Sequence, residues 1–137
     1  MSLFAIIASI KKHEGFRPTV YFDSRGYDTI GYGLAIKNLS LTESEAALLL
    51  QNRVVLLVSA LDNAIPWWAE LSEPRQNSLV EMAYQLGVHG LLEFTKMIAA
   101  LREGRWQDAK AEALRSEWAE ETPTRANEIA ALLGPEE

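Results

Sequence analysis

The chain has 137 residues, the size of one ordinary domain. Hydrophobic residues make up 48% and charged residues 23%, which is typical of a folded globular protein. The net charge of −6 argues against nucleic-acid binding, because phosphate contacts need clustered cations. The chain has no cysteine and only two histidines, which excludes disulfides and thiol catalysis and argues against a metal site.

The charge is uneven along the chain. Residues 1–37 carry a net charge of +2 and residues 38–137 a net charge of −8, which suggests two parts with different tasks. The apolar runs are far shorter than the roughly 20 residues of a membrane span. The N-terminal apolar stretch precedes its lysines, opposite to the order in a secretory signal. We therefore expect no integral membrane segment and no signal peptide.

The first residues predict a helix over 2–12. Ser2 is a suitable N-cap, and apolar residues follow at helical spacing. Gly15 suits the left-handed end of a helix, so Glu14 is predicted to lie at the C-terminal end.

A small sheet is predicted next, as a hairpin or three strands. Segments 20–22 and 29–32 are rich in β-branched and aromatic residues, and a turn over 23–26 separates them. Gly31 and Gly33 interrupt the second segment and are interpreted as allowing close approach of the backbone.

The remainder predicts helices. A capping box at Thr42–Glu45 opens a helix to about residue 61, and its apolar run 54–58 is expected to be buried. Further helices are predicted over 72–86, 91–102, 105–118 and 123–133. Trp67 and Trp68 are interpreted as core residues rather than sugar-stacking ones.

The predicted fold class is therefore α+β, mostly α, in a single domain. It would consist of a small lobe at about 13–41, a bridging helix at about 42–61 and a helical lobe at about 62–137. The helix over 2–12 is assigned to the helical lobe. A cleft between the lobes would follow from this arrangement.

Glu14, Asp23 and Thr29 form the strongest catalytic pattern. A carboxyl group at a helix C-terminus, partly buried beside Phe16 or Tyr21, is less readily ionised and suits a general acid. Asp23 on a solvated turn would stay ionised and could activate water or stabilise an oxocarbenium ion. Each residue also has a structural explanation, as a surface glutamate, a turn aspartate and a strand threonine.

The order of these residues resembles the phage-type lysozyme family. The chain reads HEGFRP at 13–18 and YFDSRGYDTIGYG at 21–33, close to the family pattern E-G-x-R/K…Y-x-D-x-x-G-x-x-T-I-G-x-G. Three further blocks continue the resemblance in order, AYQLG at 83–87, GRW at 104–106 and TPTRA at 122–126. The resemblance implies a lysozyme-like fold with the lobes described above.

The resemblance implies hydrolysis of the β-1,4 bond between N-acetylmuramic acid and N-acetylglucosamine in bacterial peptidoglycan. Glu14 would be the general acid, Asp23 would assist an attacking water and Thr29 would position it. Inversion is implied, with carboxyl groups roughly 6.5–9.5 Å apart. Binding of substrate is assigned to four residues, Gly33, Tyr84, Gln85 and Arg125.

No metal or organic cofactor is implied, and a monomer is the default. As in similar phage enzymes, the chain would reside in the host bacterial cytoplasm and need a holin-like permeabilising partner to reach the wall. The chain departs from the family pattern in two respects. Leu34 stands where many members have a histidine. The C-terminal part is acidic, and Met97 and Glu112 stand where polar cleft residues are expected.

Two other functions stay open on the sequence. A lytic transglycosylase needs one acid but no water-activating aspartate, and its products carry a 1,6-anhydro ring. A catalytically silent peptidoglycan-binding domain would sediment with walls without cleaving them.

Overall fold

The computed structural model describes residues 2–136 and divides the chain into two compact units. One unit runs up to Ala46 and the other begins at Ala47. The predicted α+β class is confirmed, because one small sheet is accompanied by helices through the rest of the described chain. The N-terminal helix is grouped with the sheet in the first unit, and its predicted association with the helical lobe stays a prediction.

The first unit begins with helix α1, which spans Leu3–Glu14. The Ser2 hydroxyl oxygen accepts a hydrogen bond from the backbone N–H of Ala5 at 3.2 Å, so the predicted N-cap is confirmed. Gly15 ends the helix with a positive φ of 70° while its N–H donates to the Lys11 carbonyl at 2.9 Å.

A three-stranded antiparallel sheet follows, in the order β1-β2-β3. Its strands are β1 (Arg17–Phe22), β2 (Asp28–Gly31) and β3 (Leu34–Ala35). Tyr21 lies opposite Thr29, and the register shifts between Tyr21 and Arg17, which lies opposite Gly31. Such a shift marks a bulge or irregularity in the pairing of β1 with β2.

Helix α2 (Glu43–Ala64) opens with the predicted capping box. The backbone N–H of Thr42 donates to Glu45 Oε1 at 2.9 Å, and the N–H of Glu45 donates to Thr42 Oγ1 at 3.1 Å. Both bonds satisfy amide groups near the helix start, and the bond from the Thr42 N–H to the carboxylate is the largest cause of the lowered pKa of Glu45.

The apolar side chains of α2 are more exposed than expected. Val55 and Leu56 are 62% and 58% exposed, so the predicted burial of both is wrong. Among residues 2–136, α2 is the one helix long and apolar enough to cross a membrane, and few residues of its most apolar stretch are buried. The expected absence of a membrane span stays a prediction.

Five further α-helices follow in the described part of the chain. They are α3 (Glu73–Leu92), α4 (Thr95–Arg102), α5 (Trp106–Leu114), α6 (Glu117–Glu121) and α7 (Pro123–Leu133). A short 3-10 helix over Trp68–Glu70 precedes α3.

Three predicted helix boundaries are corrected. Gly87 interrupts α3 as expected, with φ 76° and ψ 158°, but helix resumes and runs to Leu92. The next helix therefore begins at Thr95 rather than at 91. The helix predicted over 105–118 is two helices, because Ser116 accepts the N–H of Ala119 at 3.2 Å and starts a new one.

The hydrophobic core of the described residues lies entirely in the second unit. Trp68 belongs to it, is 5% exposed and donates its indole N–H to Asp62 at 2.6 Å. Trp67 is only half-buried and packs at the margin of this core. The largest fully buried hydrophobic side chains are those of Leu61, Leu79, Met82, Leu91, Met97, Leu101, Ile129 and Leu133.

A buried arginine caps the C-terminal end of α7. Arg75 is 5% exposed, and its guanidinium donates to the carbonyls of Leu133 at 3.0 Å and Gly134 at 2.6 Å. The same group stacks 3.7 Å from the centroid of the Trp106 ring. A cation at this position satisfies terminal carbonyls and opposes the negative end of the helix dipole.

Candidate active site

Glu14 is the last residue of α1, as predicted. Its side chain is exposed, so the expected partial burial beside Phe16 or Tyr21 is wrong in this structure. The contact that the carboxyl group makes is instead with the backbone of Gly33. The helix end and the close contact with Gly33 together fix the position of the Glu14 carboxyl group within the first unit.

Gly33 provides space for that carboxyl group. A Cβ atom added to Gly33 would overlap Glu14 Oε2 and Cδ, so only glycine allows this approach. The prediction of close approach is therefore confirmed for Gly33. It is wrong for Gly31, where a Cβ would meet open space and glycine is explained by its positive φ of 68°.

Aromatic and cationic side chains anchor the segment that carries Gly33. The Tyr32 ring lies 5.5 Å from the Phe16 ring, centroid to centroid, and Lys11 Nζ lies 5.3 Å from the Tyr32 ring. Lys11 and Phe16 flank Glu14 in the chain, so both contacts tie the end of α1 to the β2–β3 turn.

Asp23 is half-buried at the start of the β1–β2 turn. Its Oδ1 accepts backbone N–H bonds from Arg25 at 2.8 Å and from Tyr27 at 2.9 Å. The Tyr27 bond contributes most to a lowered pKa, and the Arg25 bond and charge act in the same direction. The prediction that Asp23 stays ionised is thereby supported by its surroundings.

The backbone of Tyr27 connects Asp23 with Thr29. The Tyr27 carbonyl accepts the N–H of Asp23 at 2.9 Å and the hydroxyl of Thr29 at 2.8 Å. Thr29 is 2% exposed, and with its proton donated its oxygen can still accept a hydrogen bond. The sequence predicted the turn but not this link, because the turn pattern gave no sign that Tyr27 holds both side chains.

Gln85, Tyr84 and Arg125 lie in the second unit, and their predicted role in substrate binding stays a prediction. Gln85 Oε1 accepts the indole N–H of Trp118 at 2.9 Å, which leaves its amide N–H groups available. Tyr84 is 52% exposed on α3. Arg125 is exposed in the first turn of α7 and makes no ion pair within residues 2–136.

An open cavity of about 390 Å³ lies in the second unit between the start of α4 and the α5–α6 junction. Phe94 lines it and packs edge-on against Trp118 at 6.1 Å, which links the cavity to Gln85. Met97 and Glu112 line it too, and Glu112 pairs with Arg115 at 2.8 Å. Within residues 2–136, no group of three His, Cys, Asp or Glu side chains is suited to a metal ion.

The first unit thus holds two candidate carboxyl groups in contrasting surroundings, one at a helix end and one on a hairpin turn. A sequence model of the phage lysozyme family matches residues 11–132. The chain therefore belongs to the phage lysozyme family, and its fold is lysozyme-like. Peptidoglycan hydrolysis is the class of activity that this membership supports.

Two curated relatives agree with this assignment. The chain is 26% identical to the pre-baseplate central spike protein Gp5 of Enterobacteria phage T4, over 90% of this chain and 26% of that protein. It is 22% identical to the probable T4-type lysozyme 1 of Dictyostelium discoideum, over 90% of each. The chain thus spans about a quarter of the first relative and nearly all of the second.

Proposed function

We propose that the protein is a muramidase that hydrolyses the β-1,4 bond between N-acetylmuramic acid and N-acetylglucosamine in bacterial peptidoglycan. The observation that carries the proposal is that the two carboxyl groups differ in their hydrogen bonds. Asp23 is held as a carboxylate by two backbone N–H bonds, whereas Glu14 accepts no such bond within residues 2–136. Such a difference separates a base from an acid in glycoside hydrolysis.

Glu14 acts as the general acid. It stands at the C-terminal end of α1. Its contact with Gly33 limits where the carboxyl group can point. A fixed O–H donor can then protonate the leaving oxygen as the glycosidic bond breaks.

Asp23 and Thr29 direct the attacking water. The Thr29 hydroxyl already donates to Tyr27, so it can only accept a hydrogen bond from that water. The water would donate one proton toward Asp23 and the other to Thr29, leaving a lone pair on its oxygen for the anomeric carbon. A water on the face opposite the leaving group gives inversion.

Gly33, Tyr84, Gln85 and Arg125 are proposed to bind the glycan. The exposed Tyr84 ring offers a stacking surface, and the free amide N–H groups of Gln85 can donate to an N-acetyl carbonyl. Arg125, without an ion pair in the described chain, is available to a carboxylate. We further propose that a monomer acts without a cofactor and reaches the wall from the host cytoplasm through a permeabilising partner.

The experiment compares Glu14→Gln with Glu43→Gln on purified peptidoglycan. Glu43 is an exposed carboxylate in the first turn of α2, so it is the matched control. Release of reducing ends should fall at least about 100-fold in Glu14→Gln, the scale of general acid catalysis, and stay unchanged in Glu43→Gln. Full activity of Glu14→Gln would overturn the assignment.

The products separate the remaining functions. Hydrolysis leaves reducing ends, whereas a lytic transglycosylase leaves 1,6-anhydro ends that mass spectrometry resolves. A silent binding domain would sediment with walls and leave the glycan strands intact. Either outcome would contradict the proposed hydrolysis.

A further inference from the structure

A second open cavity, of about 450 Å³, lies between Trp67 and helix α4. We call it the Trp67 cavity, and it is lined by Trp67, Leu92, Thr95, Ile98, Ala99 and Arg102, with Glu103 at its rim. None of these residues belongs to the candidate active site. Its volume falls within the roughly 300–1,000 Å³ of small-molecule sites.

Helix α4 packs one face on the core, and its second face, which lines the Trp67 cavity, contacts the core only in part, through Ile98. Met97, Ala100 and Leu101 are buried. The lining residues Thr95, Ile98, Ala99 and Arg102 follow a spacing of three, one and three, so they share the other face. Ile98 is half-buried and Ala99 is exposed, which leaves an apolar floor open to solvent.

Trp67 differs from its neighbour Trp68 in a way that suits binding. The indole N–H of Trp68 is used by Asp62, whereas that of Trp67 has no partner within residues 2–136. No buried polar side-chain atom of the described chain lacks a partner, so the Trp67 N–H is open to solvent. A half-buried indole with a free N–H can stack on a sugar ring and donate to it.

The lining of the cavity carries one cation, Arg102, and one acid, Glu103. Arg102 is exposed and makes no ion pair within residues 2–136. The adjacent acid Glu103 pairs at 2.6 Å with the Arg105 guanidinium, which also pairs with Asp108 at 2.8 Å. The Arg102 guanidinium is thus the lining cation available to the carboxylate of a ligand.

We infer that the Trp67 cavity is an accessory binding site for an acidic N-acetylated sugar of the wall glycan. The sugar ring lies on Trp67 and the apolar floor, its carboxylate pairs with Arg102, and Thr95 bonds a hydroxyl or amide group. This inference rests on the proposed function, because that function acts on a glycan whose N-acetylmuramic acid residues carry a free carboxylate wherever the stem peptide is absent. The site would hold an anionic polymer against a chain whose net charge is −6.

The test uses the assigned indole N–H resonance of Trp67 in NMR titrations of the full chain. The probes are N-acetylmuramic acid, which carries a carboxylate, and N-acetylglucosamine, which does not. Trp67→Phe identifies the resonance, and its melting temperature checks that the fold is kept. Because neither monosaccharide contains a scissile bond, the readout is independent of hydrolysis.

N-Acetylmuramic acid should shift the Trp67 resonance, and Arg102→Gln should weaken that binding about tenfold. Arg53→Gln, which removes an exposed cation of α2 outside the cavity, should leave it unchanged. Equal binding of both sugars, or an unchanged affinity in Arg102→Gln, would overturn the carboxylate assignment. The absence of a shift with either sugar would overturn the site itself.

Wall kinetics separate this inference from the proposed hydrolysis. If walls are cleaved, Arg102→Gln should raise KM several-fold on walls freed of their stem peptides and leave kcat unchanged, as expected for a residue that only binds. Cleavage of walls without sugar binding at Trp67 would contradict the cavity alone. Sugar binding without any cleavage would contradict the muramidase alone.

Discussion

The two units of the chain differ in packing, and the three candidate catalytic residues lie in only one of them. The unit up to Ala46 contains Glu14, Asp23 and Thr29, and among its described residues only Thr29 is buried. The unit from Ala47 contains every buried hydrophobic residue of the described chain. The first unit holds its shape through caps, turn hydrogen bonds and glycine conformations, and the second through packing. Substitutions in the core of the second unit should therefore be seen as a loss of stability, and substitutions at the candidate site of the first unit as a loss of wall cleavage.

The largest effect on stability is expected from the core. Leu79→Ala should lower the free energy of unfolding by about 2–5 kcal/mol, because Leu79 is fully buried on α3. Leu132→Ala is the control, since Leu132 is 46% exposed on α7 and its loss should change stability by less than about 0.5 kcal/mol. Urea unfolding measures both, and equal losses would contradict the assignment of the core to Leu79.

Glycine substitutions provide the matching experiment in the first unit. Gly31→Ala and Gly33→Ala share the strain of a positive φ, about 1–2 kcal/mol each, because the two φ values are 68° and 72°. Only at Gly33 does a Cβ collide with Glu14. Wall cleavage should therefore fall at least tenfold further in Gly33→Ala than in Gly31→Ala at similar stability.

Equal cleavage by these two glycine variants would show that the approach of Glu14 to Gly33 does not matter for catalysis. A greater loss of stability in Gly31→Ala would also contradict the account, since its Cβ enters open space.

Acid should weaken the first unit through Asp23. The pKa of Asp23 in the folded protein lies below the unfolded value of about 3.9. Its contribution to stability is therefore fully present above that value and is lost as the pH falls through the folded pKa. Glu45, whose pKa is also lowered, acts in the same direction.

Asp23→Asn should flatten the acid limb of a plot of unfolding free energy against pH. Asp28→Asn is the control, because the Asp28 side chain makes no hydrogen bond within residues 2–136 and lies in the neighbouring strand. Identical acid limbs in the unmodified protein and Asp23→Asn would contradict the role of the turn hydrogen bonds.

The smallest effect is expected at the start of α2. Thr42→Ala removes the hydroxyl that accepts the Glu45 N–H and should lower the free energy of unfolding by about 1 kcal/mol. Ser40→Ala, two residues earlier and without a hydrogen bond in the described chain, should have no measurable effect. Thermal melts compare the two, and an unchanged Thr42→Ala protein would argue that the cap is not formed in solution.

The sequence predicted features whose cause is local. The capping box at Thr42, the helix end at Gly15 and the break at Gly87 depend on residues within four positions of one another. The start of α6 at Ser116 is also local, but a serine between helix-forming residues is compatible with one continuous helix, so the prediction joined α5 to α6.

Contacts between distant parts of the chain could not be predicted from pattern. Gln85 and Trp118 are 33 positions apart, and Arg75 and Leu133 are 58 apart, so no periodicity connects them. The approach of Glu14 to Gly33 was expected only as a property of the glycine, without its partner. In the candidate site the residue types were predictable, but the hydrogen bonds that distinguish them were not.

The most direct test of the central claim is the chemistry of the new glycan end. Purified peptidoglycan is digested in isotopically labelled water, and the released ends are examined by mass spectrometry and by NMR before the anomers equilibrate. With Glu14 as the acid and Asp23 directing water, the account predicts labelled reducing ends that appear first as the α-anomer, and none from Glu14→Gln. Unlabelled 1,6-anhydro ends, or an initial β-anomer, would contradict it.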